Sequence, residues 1–244
     1  MRGCGQTDKG IVRRDNQDYF HIDQLDDNKL ILCVVCDGMG GARAGNVAAR
    51  MAAETFVEEL SNSRSMFLNK DQAPKALSDA IEKANRVVFE GAQAHGEYKG
   101  MGTTLVGAAI RRNKAYVINV GDSRAYHISK GKIKRVTRDH SLVEDMLTRG
   151  DITPEEAKTH PNRNLITRAV GIEAKVRWDL YTLELKGGDR LLLCSDGLTD
   201  IVEEEEFLAE IMRYRDIEKC CEMLIHLALA KGGPDNVTAV LVSL

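Results

Sequence analysis

The chain has 244 residues, 43% hydrophobic and 29% charged, which suits one globular domain spanning 1–244 and excludes a disordered or fibrous protein. A formal charge of −3 and a pI near 6.1 advertise no basic surface for phosphate backbones, so no nucleic-acid partner is expected. No apolar run reaches the roughly 18 residues of a membrane span, and MRGCGQTDKG lacks the apolar segment of a secretory signal, so a cytoplasmic chain with no membrane segment is expected.

In chain order, DYFHIDQL (18–25) and KLILCVVC (29–36) read as strands, the second apolar on both faces as expected between two layers. From Ala44 the apolar positions switch to a helical stripe through Val47, Ala48, Met51, Ala52 and Phe56, and Ala76 to Val88 repeat it. Residues 103–137 are β-rich runs punctuated by Arg112-Asn113, Gly121-Asp122 and Lys130-Gly131, which predicts an antiparallel meander. A short helix (SLVEDMLTRG), a second start at Thr153-Pro154-Glu155-Glu156 and a polar HPNRN segment interrupt the pattern, and residues 139–170 are expected to form a flap. Strands are predicted at 176–186, 189–197 and 236–244, with helices near 203–212 and 216–230. Helices segregated from antiparallel strands indicate an α+β layered domain.

Six cysteines raise metal and redox readings, and both are weak. Cys33 and Cys36 lie three apart on a predicted strand, so their thiols face opposite sides and cannot share an ion. Cys220 and Cys221 diverge by about 100° on a helix. The six histidines are scattered, with no zinc spacing. Gly38-x-Gly40-Gly41 fails as a nucleotide fingerprint, because position 43 is arginine and no phosphate-loop lysine follows. The acidic run Glu203–Glu206 is expected to cap a helix, where carboxylates favour the positive end of the dipole.

The informative pattern is that several apolar strands end in aspartate: Asp37-Gly38, Gly121-Asp122-Ser123 and Ser195-Asp196-Gly197, with Asp235-Asn236 opening the last strand. One Asp-Gly pair is ordinary turn chemistry. Several carboxylates placed directly after long apolar runs would be costly unless they meet a cation, and oxygen ligands suit magnesium or manganese.

Taken with Arg13-x-x-Asn16-Gln17-Asp18, Gly102-Thr103-Thr104, Asp139-His140-Ser141 and Gly233-Pro234-Asp235-Asn236, these motifs occur in one order over nearly the whole chain. The chain resembles the metal-dependent protein phosphatases, type 2C, bacterial type. The resemblance implies a four-layer α-β-β-α sandwich, with two antiparallel sheets flanked by helix pairs. It implies Asp37 bridging two Mn²⁺ or Mg²⁺ ions, Gly38 binding through its carbonyl, Asp196 and Asp235 on the first ion, and Asp122 with Asp196 at a weaker third ion. Asp18 and Asn236 are implied to support the ligands, Asp18 through water, and Arg13 to grip the substrate phosphate. It further implies a serine/threonine phosphatase acting on phosphoproteins, opposing a bacterial serine/threonine kinase. Nothing in the sequence demands an oligomer, so a monomer is expected.

The chemistry suits these residues. Three ligating aspartates against two divalent ions leave about one positive charge for a phosphate dianion. Two ions can activate a bridging water for in-line attack without a phosphoenzyme. Arg13 offers a planar fork for two phosphoryl oxygens. Where eukaryotic relatives carry a histidine after Asp-Gly, this chain has Met39. His140 is the substitute acid by residue type, against the alternative that it orders the start of the flap, and water at the metals is the preferred proton donor.

Overall fold

The computed structural model describes residues 1–27, 29–41 and 44–244. The chain runs β1 (Arg2–Asp8), β2 (Asp18–Leu25), β3 (Leu30–Met39), α1 (Ala44–Asn62), α2 (Ala73–Ala94), β4 (Gly102–Thr103), β5 (Leu105–Arg111), β6 (Lys114–Val120), β7 (Arg124–Ser129) and β8 (Lys132–Arg135). It continues α3 (Leu142–Arg149), α4 (Pro154–Thr159), β9 (Asp179–Glu184), β10 (Arg190–Cys194), α5 (Asp196–Thr199), α6 (Glu204–Arg213), α7 (Ile217–Ala230) and β11 (Val237–Ser243). One antiparallel sheet is ordered β1-β11-β10-β7-β8; the other is ordered β2-β3-β5-β6-β9, with β4 paired to β3.

Residue parity explains the layering. Along β3, Leu30, Leu32, Val34 and Cys36 enter the core beneath α1 and α2, while Ile31, Cys33 and Val35 enter the core between the sheets. The two thiols therefore face opposite sides. In the other sheet, Leu192, Cys194, Ala239 and Leu241 face α6 and α7, while Leu191, Leu193, Val240 and Val242 face the sister sheet. The result is the α-β-β-α sandwich expected from the resemblance. Ala48, Ala49, Ala52 and Ala53 on α1 are fully buried, and their small side chains let that helix lie close to its sheet.

Three local expectations are corrected. β1, which the sequence reading passed over, has two glycines and little apolar signal; its partner β11 holds it across seven register pairs at the sheet edge. The expected meander is split between the sheets: β5 and β6 form a hairpin in one, β7 and β8 a hairpin in the other. The chain crosses at Gly121-Asp122-Ser123, where Gly121 has φ +103°, and a turn signal alone does not say which sheet the next strand joins. The strands predicted at 176–186 and 189–197 are shorter, because pairing begins only at Asp179 and Asp196 and Gly197 open α5. The run Glu203–Glu206 caps α6 as expected: the Glu203 side chain accepts from the backbone of Glu206, whose carboxylate accepts from the Glu203 N–H.

Gly197 seats α5 against the start of β11, since a Cβ there would stand 1.9 Å from the carbonyl oxygen of Asn236. Gly197→Ala should destabilise the fold by about 1–3 kcal/mol, lowering the melting temperature by about 2–4 °C per kcal/mol. Gly187→Ala, where a Cβ meets nothing within 4 Å, is the control and should stay within about 0.5 kcal/mol. Equal melting curves for the two variants would contradict that close approach.

Candidate active site

Five strand ends meet at one end of the sandwich. The β2–β3 register sets Asp18 directly opposite Asp37. Asp122 follows the end of β6 by two residues, Asp196 follows the end of β10 by two, and Asp235 precedes β11 by two. Asp18 and Asp37 thus form the end pair of the β2–β3 register and the other three sit just beyond their strands, where the backbone is held by the neighbouring sheet.

Asp18 is buried and joins the sheets: its Oδ2 accepts from Ser195 Oγ and from Thr238 Oγ1, each at 2.7 Å, while its Oδ1 is buried without a partner. Burial pushes its pKa up to about 6, opposed by the two hydroxyls and reinforced by the charge of Asp235. Asp37 is clamped through its backbone. Its N–H donates to Thr104 Oγ1 at 2.9 Å, and its carbonyl accepts from Thr103 Oγ1 and from the Thr104 N–H, both at 2.8 Å. Its carboxyl is raised well above the usual range by burial and then by the charges of Asp18, Asp196 and Asp122. Asp196 is raised in the same way, by burial and then by Asp122 and Asp200, and its Oδ1 is also buried without a partner. Burial, then Asp139, pushes Asp122 up to about 7.

Gly38 is buried beside them, its N–H donating to Gln17 O at 3.1 Å. Arg13 is exposed at the mouth of the site and donates from Nη2 to Asp235 Oδ2 at 2.7 Å. Asn236 anchors the loop that carries Arg13: its Oδ1 accepts from the Gln17 N–H, and its Nδ2 donates to the carbonyls of Lys9 and Asp15. The structure therefore gathers Asp18, Asp37, Gly38, Asp122, Asp196 and Asp235 at one end, with Arg13 at the rim and Asn236 beneath its loop.

His140 falls outside this group as an acid. It is buried, and its Nδ1 accepts the Gly121 N–H at 3.1 Å, which places the proton on Nε2, where Asp179 Oδ2 lies 3.3 Å away. Its backbone N–H returns a bond to Gly121 O. Nδ1 and the backbone N–H hold the Asp122 turn through Gly121, while Nε2 is taken up by Asp179 and Arg168. Met39 packs beside Gly102 and carries no proton. Two residues escaped the sequence reading. Thr104, whose hydroxyl also pairs with Ser123 Oγ at 2.7 Å, was visible only as part of a motif. Asp200 lies four residues after Asp196 and bonds back to it through its N–H; the spacing SDGLTD on a helical turn was the available signal.

The donors fit a hard divalent cation: all are oxygens, two buried carboxylate oxygens have no partner, and like charges crowd together in a poorly solvated place. Among the described residues no three acidic, imidazole or thiol side chains are already drawn around one point. The arrangement is a convergence of unpaired charge that an ion would close.

The sequence profile of protein phosphatase 2C matches residues 8–227. The chain belongs to the protein phosphatase 2C family. It is accordingly a phosphatase, a phosphoric monoester hydrolase of a metal-dependent family. It is 36% identical over 237 residues to the serine/threonine phosphatase stp of Listeria monocytogenes, covering 97% of this chain and 93% of that protein. The crystal structure of the serine/threonine phosphatase PstP/Ppp of Mycobacterium tuberculosis superposes with a TM-score of 0.88 at 33% identity, covering 100% of this chain and 98% of that one. A catalytic domain of PstP in complex with two manganese ions gives a TM-score of 0.83 at 32% identity, covering 98% and 96%. No helix among the described residues of this phosphatase is long and apolar enough to cross a membrane.

The crowding has a consequence for stability. A carboxyl whose pKa is higher in the folded chain than in the unfolded one holds its proton more tightly in the fold, so ionising it weakens the fold. With chelator present, the melting temperature should therefore rise as pH falls from about 8 to about 6.5, through the value near 7 of Asp122. Saturating manganese should raise the melting temperature and flatten that slope, because the ion binds the folded state alone. A flat or opposite slope in chelator would mean that the carboxylates do not feel one another.

Proposed function

We propose that this phosphatase removes phosphate from phosphoserine and phosphothreonine on proteins, opposing a serine/threonine kinase. Asp37, Gly38, Asp196 and Asp235 are its metal ligands for two ions, Mn²⁺ or Mg²⁺, and Asp122 with Asp196 serves a weaker third. The observation that carries this reading is the convergence of Asp18, Asp37, Asp122 and Asp196 with unpartnered buried oxygens at one strand-end cluster. The relatives named serine/threonine phosphatases, and the PstP structure with two manganese ions, support it.

When bound, the ions supply Lewis-acid activation of water and neutralise phosphoryl charge. The chain's own residues do the rest. Asp37, fixed at its backbone by Thr103 and Thr104, presents its carboxylate with little freedom to drift. Asp18, held between two hydroxyls, keeps one oxygen turned to the cluster. Arg13 waits at the rim on Asp235; once Asp235 serves as a ligand, its fork is free to donate to two phosphoryl oxygens. With Met39 apolar and His140 committed to Gly121 and Asp179, neither of these side chains serves as the acid for the leaving oxygen, which takes its proton from water.

Hydrolysis of a phosphothreonine peptide at neutral pH should require manganese or magnesium and cease with chelator. Asp37→Asn should lower kcat by about 10²-fold or more at unchanged folding, whereas Arg13→Ala should act mainly on KM, by about tenfold. Full turnover in Asp37→Asn would remove Asp37 from the centre.

A further inference from the structure

Next to the cluster lies a cavity of about 450 Å³, roofed by residues of α3 and α4 and floored by β7 and α6. Asp122 and Asp196 form its inner edge, so it opens directly onto the place where the phosphate is read to sit. Its volume is that of a built pocket rather than a surface dimple.

The lining has two characters. The floor is aromatic: Tyr126 and Phe207, both fully buried, meet edge to face with centroids 5.2 Å apart, and Val202 and Leu147 extend the apolar wall. The rim is acidic. Of its acidic residues, Asp139 is held by Arg124 and Arg135, Glu203 takes Lys158 at 3.4 Å, and Arg163 stands near Asp200. Glu204 and Glu205 have no ion pair among the described residues. Independently of these charges, the Tyr126 hydroxyl reaches this lining next to the Arg124 guanidinium and near Glu204, yet it is buried and completes no hydrogen bond. A buried phenol oxygen without a partner is costly, and it marks a place where a polar group is expected.

We propose that this cavity is a specificity subsite for a lysine or arginine side chain close in sequence to the phosphorylated residue. The inference rests on the phosphoprotein reading of the active site. A lysine or arginine combines an apolar stem with a cationic tip, and the cavity offers an aromatic and aliphatic floor, a lone hydroxyl oxygen and two unpaired carboxylates. A glutamate or aspartate side chain would meet Glu204 and Glu205 with like charge, and the cations of the lining, Arg124, Arg135, Lys158 and Arg163, each already face an acidic partner. The phosphate and the flanking cation are thereby recognised by opposite fields on the two sides of Asp122 and Asp196: a metal-loaded positive centre on one, an acidic rim on the other.

The test uses the manganese-loaded enzyme and a set of phosphothreonine peptides identical except for one position, which carries lysine, alanine or glutamate, scanned from three residues before to three after the phosphothreonine. An aryl phosphate too small to reach the cavity is measured alongside. At one or two positions, kcat/KM should favour lysine over glutamate by about tenfold or more. In the Glu204→Gln/Glu205→Gln variant that ratio should collapse toward one, and Tyr126→Phe should reduce it partway. Lysine and glutamate peptides cleaved alike at every position, with the aryl phosphate still hydrolysed, would overturn the subsite and leave the phosphatase reading intact. A preference that survives the double variant unchanged would overturn it too, by placing the selectivity elsewhere. Failure to hydrolyse both the aryl phosphate and every peptide would remove the catalytic reading and this one together.

Discussion

The repulsion among carboxylates buried at one end of the sandwich is the constraint around which the structure is organised. Asp37 and Asp196 are both held far above the usual carboxylate range, chiefly by burial and then by one another's neighbours. A fold with a free choice of residues would not crowd the buried Asp18 and the half-buried Asp37, Asp122 and Asp196 together, because poorly solvated charge without a partner is among the costliest features a protein can carry. Their persistence in one place is intelligible as a site completed from outside, where a divalent cation turns mutual repulsion into shared attraction.

The two-sheet sandwich is what makes such crowding sustainable. Each aspartate is carried by a different strand or the turn beside it, and those strands are locked by extended registers, so the backbone that presents the carboxylates is held in place. The junction between sheets is polar at this end: Asp18 reaches Ser195 and Thr238 across it, and Thr104 reaches Ser123. Behind that junction the space between the sheets fills with Ile31, Val35, Leu193 and Val240, which exclude water and sharpen the electrostatics. Asn236 and His140 extend the same logic outward, one tying down the loop that carries Arg13 and the other the turn that carries Asp122.

Much of this was legible before any coordinates, for reasons that differ from residue to residue. The run LILCVVCDG was readable because a strand buried on both faces must be apolar at every position, and the carboxylate that breaks the run stands out. Asp18 was legible only through its motif, since nothing in DYF marks a buried site by composition alone, whereas Asp235 drew notice as one of several aspartates at strand ends. The split of residues 103–137 between two sheets was not legible, because sheet choice is decided by which apolar face finds a partner across the sandwich, a long-range contest that a turn signal such as Gly121-Asp122 does not report. β1 was missed for the complementary reason: its pairing energy comes from β11, at the other end of the chain. His140 was ambiguous in sequence because an imidazole that donates a proton in catalysis and one that braces a turn present the same residue type; only the Gly121 N–H decides between them.

The division between centre and rim follows from the same geometry. The aspartate cluster is supplied by strand ends, so on the proposed reading it has almost no latitude to read the chain that carries the phosphate. Latitude lies where α3 and α4 stand apart from the sheets, held by a capping box at Thr153-Glu156 and by ion pairs such as Lys158 with Glu203 rather than by a core. Contacts of that kind are individually weak and salt-sensitive. They can be rearranged at little cost to the fold, so the proposed subsite could change its selectivity there without disturbing the strand ends that carry the aspartates.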